Sequence, residues 1–586
     1  MDRQAFKTLL FILLILAAAP ATLAQSRLDP ATLPKSTSFY FAWHGTPSGE
    51  ARKANSLLAL WDDSDFRPIR AALIEGMLEN SAASRKTSTL TPEELSEYTL
   101  LLDNEFLAGY IGNPHPAPAK TADATSAPAS KPWNGLFFVY DRTGKEATLA
   151  KLLLRTRSSE KDAPKISSVT IAGISALKVE RKTGASYWAE DGRYAFGASE
   201  PLVFEQIIGW TKHSTTEADR LAQTPAYREA SDLLKGGVAE FFVHFPSVRE
   251  TTWDSSTWGF RLRPLLQSLR LEAVHAIAGH LALEGARTRI QGAILGDTSA
   301  GTLFDLWDEG TSKPSSWQFI NSNTVFYQES RINLPGIYGL IKHALQSTAG
   351  AGQNSPMDFI ETAAETRLGM PLPTAFGLFT GEVTSLQTSP TLDPAKQVYV
   401  LGIQKKAETL RVLRSVLAER VVSERAEGDT TFLKISASGT TSAAGTASWN
   451  YYHLAVTNNL IVAASRLDSV REALSLQKGT ADHEDLVPPA WLASRAQYPS
   501  KVTGLNFMDF QKIDWSAVKA RWNADEVRKT RTAAGSIGKT SMNEHADAFT
   551  KAMKDLDPQV FPRHLHFSTG AGWKDMRGVH FDGWIE

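Results

Sequence analysis

Residues 138–149 read FVYDRTGKEATL and residues 399–410 read YVLGIQKKAETL. The two stretches align without gaps, sharing Val139 with Val400, Lys145 with Lys406 and Thr148-Leu149 with Thr409-Leu410. Self-similarity of this kind constrains a fold more than any local motif, because each copy must build the same supersecondary unit and bury the same face. Four further matches keep one order along the chain. EFLAGYIG (105–112) resembles EVTSLQTS (382–389), and AEDGRYAFGASEPLVFEQII (189–208) lies over AVTNNLIVAASRLDSVREAL (455–474). FFVHFPSV (241–248) lies over TGLNFMDF (503–510), with Val243, Phe245 and Val248 on Leu505, Phe507 and Phe510. RTRIQGAIL (287–295) lies over RGVHFDGWI (577–585). The chain is therefore expected to be an internal duplication, one copy over 37–297 and the other over 323–586.

Hydrophobic periodicity supplies the elements inside a copy. In the first, strands are expected near 136–141, 168–181, 186–190 and 193–198, helices near 145–156 and 200–212, and a closing strand near 239–245. A helix and a closing hairpin follow. That order is the split β-α-β-β-α-β arrangement of ferredoxin-like plaits. The expected fold class is α+β: two similar lobes, each an antiparallel sheet covered by helices on one face. GNPHPAPAKTADATSAPASKP (112–132) is too rich in Pro, Ala, Ser and Thr to pack, and reads as a disordered loop of the first copy. Smaller flexible loops are expected at 437–448 and 529–541.

Export follows from the first residues. Arg3 and Lys7 precede an apolar run from Leu9 to Ala19, and small residues continue to Ala24. This is the pattern of a secretory signal peptide over 1–24, cut after Ala24. No later run reaches the roughly 20 apolar residues of a membrane-spanning helix. Cysteine is absent, which excludes disulfides and thiolate metal sites and leaves stability to buried apolar area. With 42% hydrophobic residues, 15 Trp and 27 Phe, the chain has enough apolar surface for large cores. Its 62 Lys and Arg against 63 Asp and Glu give no basic excess, so a nucleic-acid partner is not expected.

A leader followed by paired α+β copies, opening on a strand such as FYFAW (39–43) and a helix such as LLALWDDSDFRPIRAALIEGM (57–77), resembles a family of exported bacterial proteins known as a domain of unknown function. The resemblance spans nearly the whole mature chain. It implies an envelope or secreted location and supplies no catalytic residue.

Several motifs suggest chemistry, and each has a plainer reading. TAAGSIGKT (532–540) ends like a phosphate-binding loop in Gly538, Lys539 and Thr540, but Ala533 stands at the first glycine position and no apolar strand precedes it; it reads as a loop. RHLHF (563–567) sets His564 and His566 two apart, on one face of a strand, with His580 or Asp582 on the facing strand as a third ligand to zinc or copper. The plainer reading is histidines on a closing hairpin, and no cofactor is expected. His275 and His280 are five apart and form no pair on a regular strand. HExxH and GxSxG are absent, and SSEK (158–161) and SIGK (536–539) meet the SxxK pattern only in polar segments. A glycosidase needs two carboxylates. Asp62, Asp63 and Asp65, or Asp308 and Glu309, are available, although Asp before Phe66 and Pro68 fits a helix cap. Trp188, Trp210, Trp253 and Trp258 suit a carbohydrate or apolar groove, or simply the core. His44 ends the aromatic strand FYFAWH, and Phe326-Tyr327 take the places of Phe39-Tyr40 in the second copy.

The function expected from sequence is an exported, non-catalytic binding or envelope-associated protein, its partner an envelope component or small ligand. The alternatives are a periplasmic hydrolase acting on envelope polymers and a lipid or lipoprotein carrier.

Overall fold

The computed structural model describes residues 28–73, 101–112, 135–150, 165–181, 184–249, 270–300, 303–311, 315–346, 355–436, 451–477, 489–521 and 552–586. The leader over 1–24, the loop 112–132 beyond Gly112, SSEK (158–161), Trp253, Trp258, 437–448 and 529–541 with TAAGSIGKT lie outside these residues. The fold mixes helices with antiparallel sheet, and the described residues divide into two compact units. No described helix is long and apolar enough to cross a membrane.

The N-terminal unit carries β1 (Thr37–His44), β2 (Glu105–Ile111), β3 (Leu136–Asp141), β4 (Lys165–Ile171), β5 (Ile174–Arg181), β6 (Gly184–Asp191), β7 (Tyr194–Ala198), β8 (Ala239–His244), β9 (Val274–Glu284) and β10 (Arg287–Gly296). They pair antiparallel in the order β4-β5-β6-β7-β3-β2-β1-β8-β9-β10. The C-terminal unit opens with β11 (Gly310–Thr311) and continues with β12 (Phe326–Arg331), β13 (Phe379–Gln387), β14 (Gln397–Ile403), β15 (Val421–Glu427), β16 (Thr430–Ser436), β17 (Tyr451–Val456), β18 (Leu460–Ala464), β19 (Lys501–Val502), β20 (Gly504–Asp509), β21 (Phe567–Asp575) and β22 (Gly578–Ile585). Apart from a small β11-β19 ladder, its order is β15-β16-β17-β18-β14-β13-β12-β20-β21-β22. Position by position, the two orders are the same.

The ferredoxin-like arrangement needs correction. The stretch expected as one strand over 168–181 is a hairpin, β4 and β5, turned at Ala172 and Gly173, which both have positive φ (49° and 80°). Two residues with positive φ form the turn whose twist suits a tight hairpin. Ile171 and Ile174 flank the turn three positions apart, so the alternation slips by only one residue, and Ala-Gly lacks the Asn or Asp that usually marks such a turn. Four strands rather than the three expected therefore lie between the helices, and the closing strand β8 is not the neighbour of β3 that the split order requires. Instead β3 lies between β2 and β7, and β8 between β1 and β9, all antiparallel.

Register tests the five matches one by one. Leu107 faces Val139, which faces Phe196; in the other unit Thr384 faces Val400, which faces Val462. Those positions agree with three of the matches: 105–112 with 382–389, 138–149 with 399–410, and 189–208 with 455–474. The other two slip. The row through Tyr40 continues to Phe242, Ala278 and Ala293, and that through Tyr327 to Phe507, Thr569 and Trp584. Phe242, not Phe245, therefore corresponds to Phe507, and Ala293, not Ile294, to Trp584. Both slips are odd, so each would turn a strand's buried residues outward.

Burial follows this register. In the N-terminal unit Tyr40, Ala42, Leu107, Val139, Phe196 and Phe242 pack beneath helix Pro201–Thr211, whose Val203, Phe204, Ile207, Ile208 and Trp210 form its inner stripe. Pro201 begins that helix, where its missing N–H costs nothing. In the C-terminal unit Tyr327, Leu386, Val400, Val462, Leu505 and Phe507 pack with Val470, Ala473 and Leu474 of helix Leu467–Gln477 and with Trp317 and Trp491. Here helices lie on both faces, not on one as expected. Ile403, Leu433, Ile435, Val456 and Ile461 pack with Leu410 of helix Lys406–Leu417. On β14 and β18 these residues alternate with the first cluster, so they point to the opposite side.

Candidate functional site

The residues singled out from sequence do not converge. His564 ends the helical turn Val560–His564, whereas His566 is exposed in the link to β21, so they do not share a strand face. His580 Nε2 meets Asp575 Oδ1 at 3.0 Å and its ring stacks on Trp573. Among the described residues no group of three or more His, Cys, Asp or Glu is arranged to hold a metal ion. His275 Nδ1 meets Glu229 Oε2 at 3.0 Å, and His280 Nδ1 meets the Leu233 carbonyl at 2.6 Å. Asp62 accepts from Arg52 Nη2 at 2.6 Å, and Asp63 caps the turn Ser64–Phe66 by accepting from the Asp65 N–H. Asp308 accepts from the Glu309 N–H. Trp210 belongs to the core, while Trp188 is half-buried with its ring over Gly197, where a Cβ would lie 2.7 Å from it.

The concentrated polar chemistry lies on the core faces of the sheets, at glutamates that were not singled out. In the C-terminal unit Tyr327, Glu329 and Arg331 alternate along β12, and Glu382, Thr384 and Leu386 face them from β13. Arg331 Nε lies 3.0 Å from Glu329 Oε1, and Arg331 Nη2 lies 3.7 Å from Glu382 Oε2. Glu382 Oε1 accepts the Ser316 N–H at 3.0 Å, Thr384 donates to Ser316 Oγ at 2.7 Å, and Ser316 Oγ lies 3.0 Å from Tyr327 Oη. Burial pushes Glu329 up to about 7; Arg331 pulls the other way and the nearby Glu382 adds to the rise.

The N-terminal unit has a related set. Tyr40 Oη donates to Glu240 Oε1 at 3.1 Å, and the Tyr40 and Tyr227 rings lie 6.5 Å apart. Burial pushes Glu240 up to about 8, against the Tyr40 hydrogen bond. At the end of β1, burial lowers His44 to about 4, so it is neutral at pH 7. His44 faces Glu105 across the ladder as Arg331 faces Glu382. By register, Arg331 is the counterpart of His44.

These groups are enclosed and do not face a polymer. The Glu329 and Glu382 side chains are 0% and 7% exposed, and that of Arg331 is 15% exposed. Gly310 covers the guanidinium so closely that a Cβ there would lie 1.8 Å from Arg331 Cζ.

The opposite face of the C-terminal sheet is covered by helix Lys406–Leu417 around Ile403 and Ile461 and exposes polar and aromatic residues elsewhere. One row across it runs Tyr399, Ser385, Gln328, Asn506, Gly570, Gly583. Gln328 and Asn506 are exposed, Tyr399 is 41% exposed, and Tyr452, close enough to raise the Tyr399 hydroxyl's pKa, is 40% exposed. The corresponding N-terminal row is Phe138, Ala108, Phe41, Phe241, Gly279, Gly292. Both rows end in two glycines, but amides in one replace rings in the other. With strands about 4.8 Å apart, Tyr399 to Asn506 spans roughly 14 Å. Alternation along YVLG and FYQE was the available signal, since it places Tyr399 and Gln328 opposite the buried Val400 and Tyr327.

No protein-family profile, no curated protein and no solved structure matches the chain.

Proposed function

We propose that the chain is an exported, non-catalytic binding protein of the envelope or extracellular space, built by duplication of one α+β unit as in the bacterial family it resembles. In this reading the exposed part of that sheet face, beside helix Lys406–Leu417, holds an uncharged, polysaccharide-like envelope component. The observation that carries it is the row from Tyr399 to Asn506, with Tyr452 beside it. Flat rings offer apolar surface to the C–H face of a sugar ring, and the Gln328 and Asn506 amides can donate to and accept from hydroxyls. The six residues of the row carry no charge, which favours a neutral partner over a nucleic acid or acidic polymer. The shared strand order and the three matches in register support the duplication. The leader pattern supports export.

The hydrolase alternative gains nothing from Glu329 and Glu382, which are enclosed. A carrier needs open apolar space between sheet and helices; in the N-terminal core the Tyr227 and Phe242 rings lie 5.2 Å apart and those of Phe196 and Phe204 6.3 Å apart. Co-sedimentation of the mature chain with insoluble peptidoglycan, cellulose and chitin tests the proposal. Saturable binding to one of them is expected, weakened at least about tenfold in Tyr399→Ala/Tyr452→Ala with folding intact by circular dichroism. Failure to sediment with all three, or equal binding by the double variant, overturns it.

A further inference from the structure

Tyr40 and Tyr327 occupy the same position in the two strand orders, and each has a buried glutamate beside it. The glutamates come from different strands. In the N-terminal unit the cross-strand pair next to the tyrosine is Ala42 on β1 with Glu240 on β8. In the C-terminal unit the corresponding pair is Glu329 on β12 with Leu505 on β20. Directly opposed residues of an antiparallel pair share a face and have Cβ atoms about 5 Å apart, so a long side chain from either strand reaches the same space. The carboxyl has changed strands, and the apolar residue has changed with it.

We propose that the acid beside the tyrosine is one proton-holding position, kept in both units and supplied from either strand of the same pair, and that it makes the fold a brace that tightens as pH falls towards neutral. The groups facing it differ between units. Around Glu240 stand Tyr40 from β1, Tyr227 from helix Pro225–Ala230, Asp29 from the turn before β1 and, directly opposite on β9, His280. Around Glu329 stand Tyr327 and Arg331 on its own strand and Glu382 from β13, while β20 contributes only the apolar Leu505.

The sign follows from linkage. An acid whose folded pKa lies above its unfolded value of 4.5 binds more protons in the native state, and the stability this gives is lost as pH rises through the folded values, about 8 for Glu240 and about 7 for Glu329. His44 acts in the opposite sense but only below its ordinary 6.5, so the window from pH 6.5 to 8.5 isolates the carboxyls.

The test uses the mature chain. Its urea midpoint is expected to fall between pH 6.5 and 8.5, and the infrared band of a protonated carboxyl is expected at pH 6.5. Glu240→Gln and Glu329→Gln each remove part of the fall, and together they remove both the fall and the band. Ala42→Glu/Glu240→Leu, which gives the N-terminal unit the C-terminal arrangement, restores the dependence that Glu240→Leu alone removes. A double Gln variant that keeps the full pH dependence, or a folded exchange variant that restores none, overturns the proposal. If the exchange variant does not fold, the isosteric Gln variants still decide.

Discussion

Arg331 lies between two acidic side chains, Glu329 and Glu382, in a space that water scarcely reaches. Removing one partner of a buried ion pair is expensive because the other charge remains desolvated, typically by about 3–5 kcal/mol. Because Glu329 can hold a proton, Arg331→Met should lower stability at pH 7 by the lower end of that range, about 3 kcal/mol, read from urea denaturation. The loss should be smaller at pH 5, where Glu329 already holds its proton with or without Arg331. His44, at the corresponding position, behaves differently. Burial lowers it to about 4, so folding disfavours its charged form, and the stability due to neutral His44 is present above pH 6.5 and lost as pH falls towards 4. His44→Gln should flatten the acid side of the stability profile between those values while leaving the side above pH 6.5 unchanged. The strand-end histidine of FYFAWH is thus one member of a cross-strand pair with Glu105, a role that its own sequence neighbours do not reveal.

At the scale of elements, the hairpin of β4 and β5 shows what periodicity misses. Its turn places Ala172 at φ 49°, a left-handed conformation costing an L-residue other than glycine roughly 1 kcal/mol. Ala172 is exposed, so Ala172→Gly should stabilise the chain by about 0.5 kcal/mol once the extra unfolded-state entropy of glycine is deducted. A rise in thermal midpoint checks this, and a fall would mean that Ala172 carries no strain. Helix Pro201–Thr211 was legible because its inner residues repeat every three or four positions and Pro201 marks its start. The four-stranded meander was not legible. A two-residue turn shifts the alternation by a single position, a signal weak enough in a stretch of mixed residues to be read as one long strand, and the backbone dihedrals separate the two.

Across the whole molecule, the self-similarity read from sequence and the strand pairings agree where buried residues dominate the matched stretches. Val139 with Val400 and Phe196 with Val462 lie on core faces, where apolar character is required. The slips at Phe242 and Ala293 fall where strands of mixed composition offer several registers of similar apolar content, and cross-strand hydrogen bonding chooses among them. Composition, alternation and the leader pattern determined the mixed α and β class, the antiparallel sheets, the positions of the main helices and the expectation of export, because these depend on residue types at short spacing. Tertiary structure alone decided which residues form the candidate sites. Glu240 and Tyr40 are 200 positions apart, and Gln328 and Asn506 become neighbours only when β12 pairs with β20. Such proximity is set by long-range pairing, and no local pattern around any one of these residues encodes it.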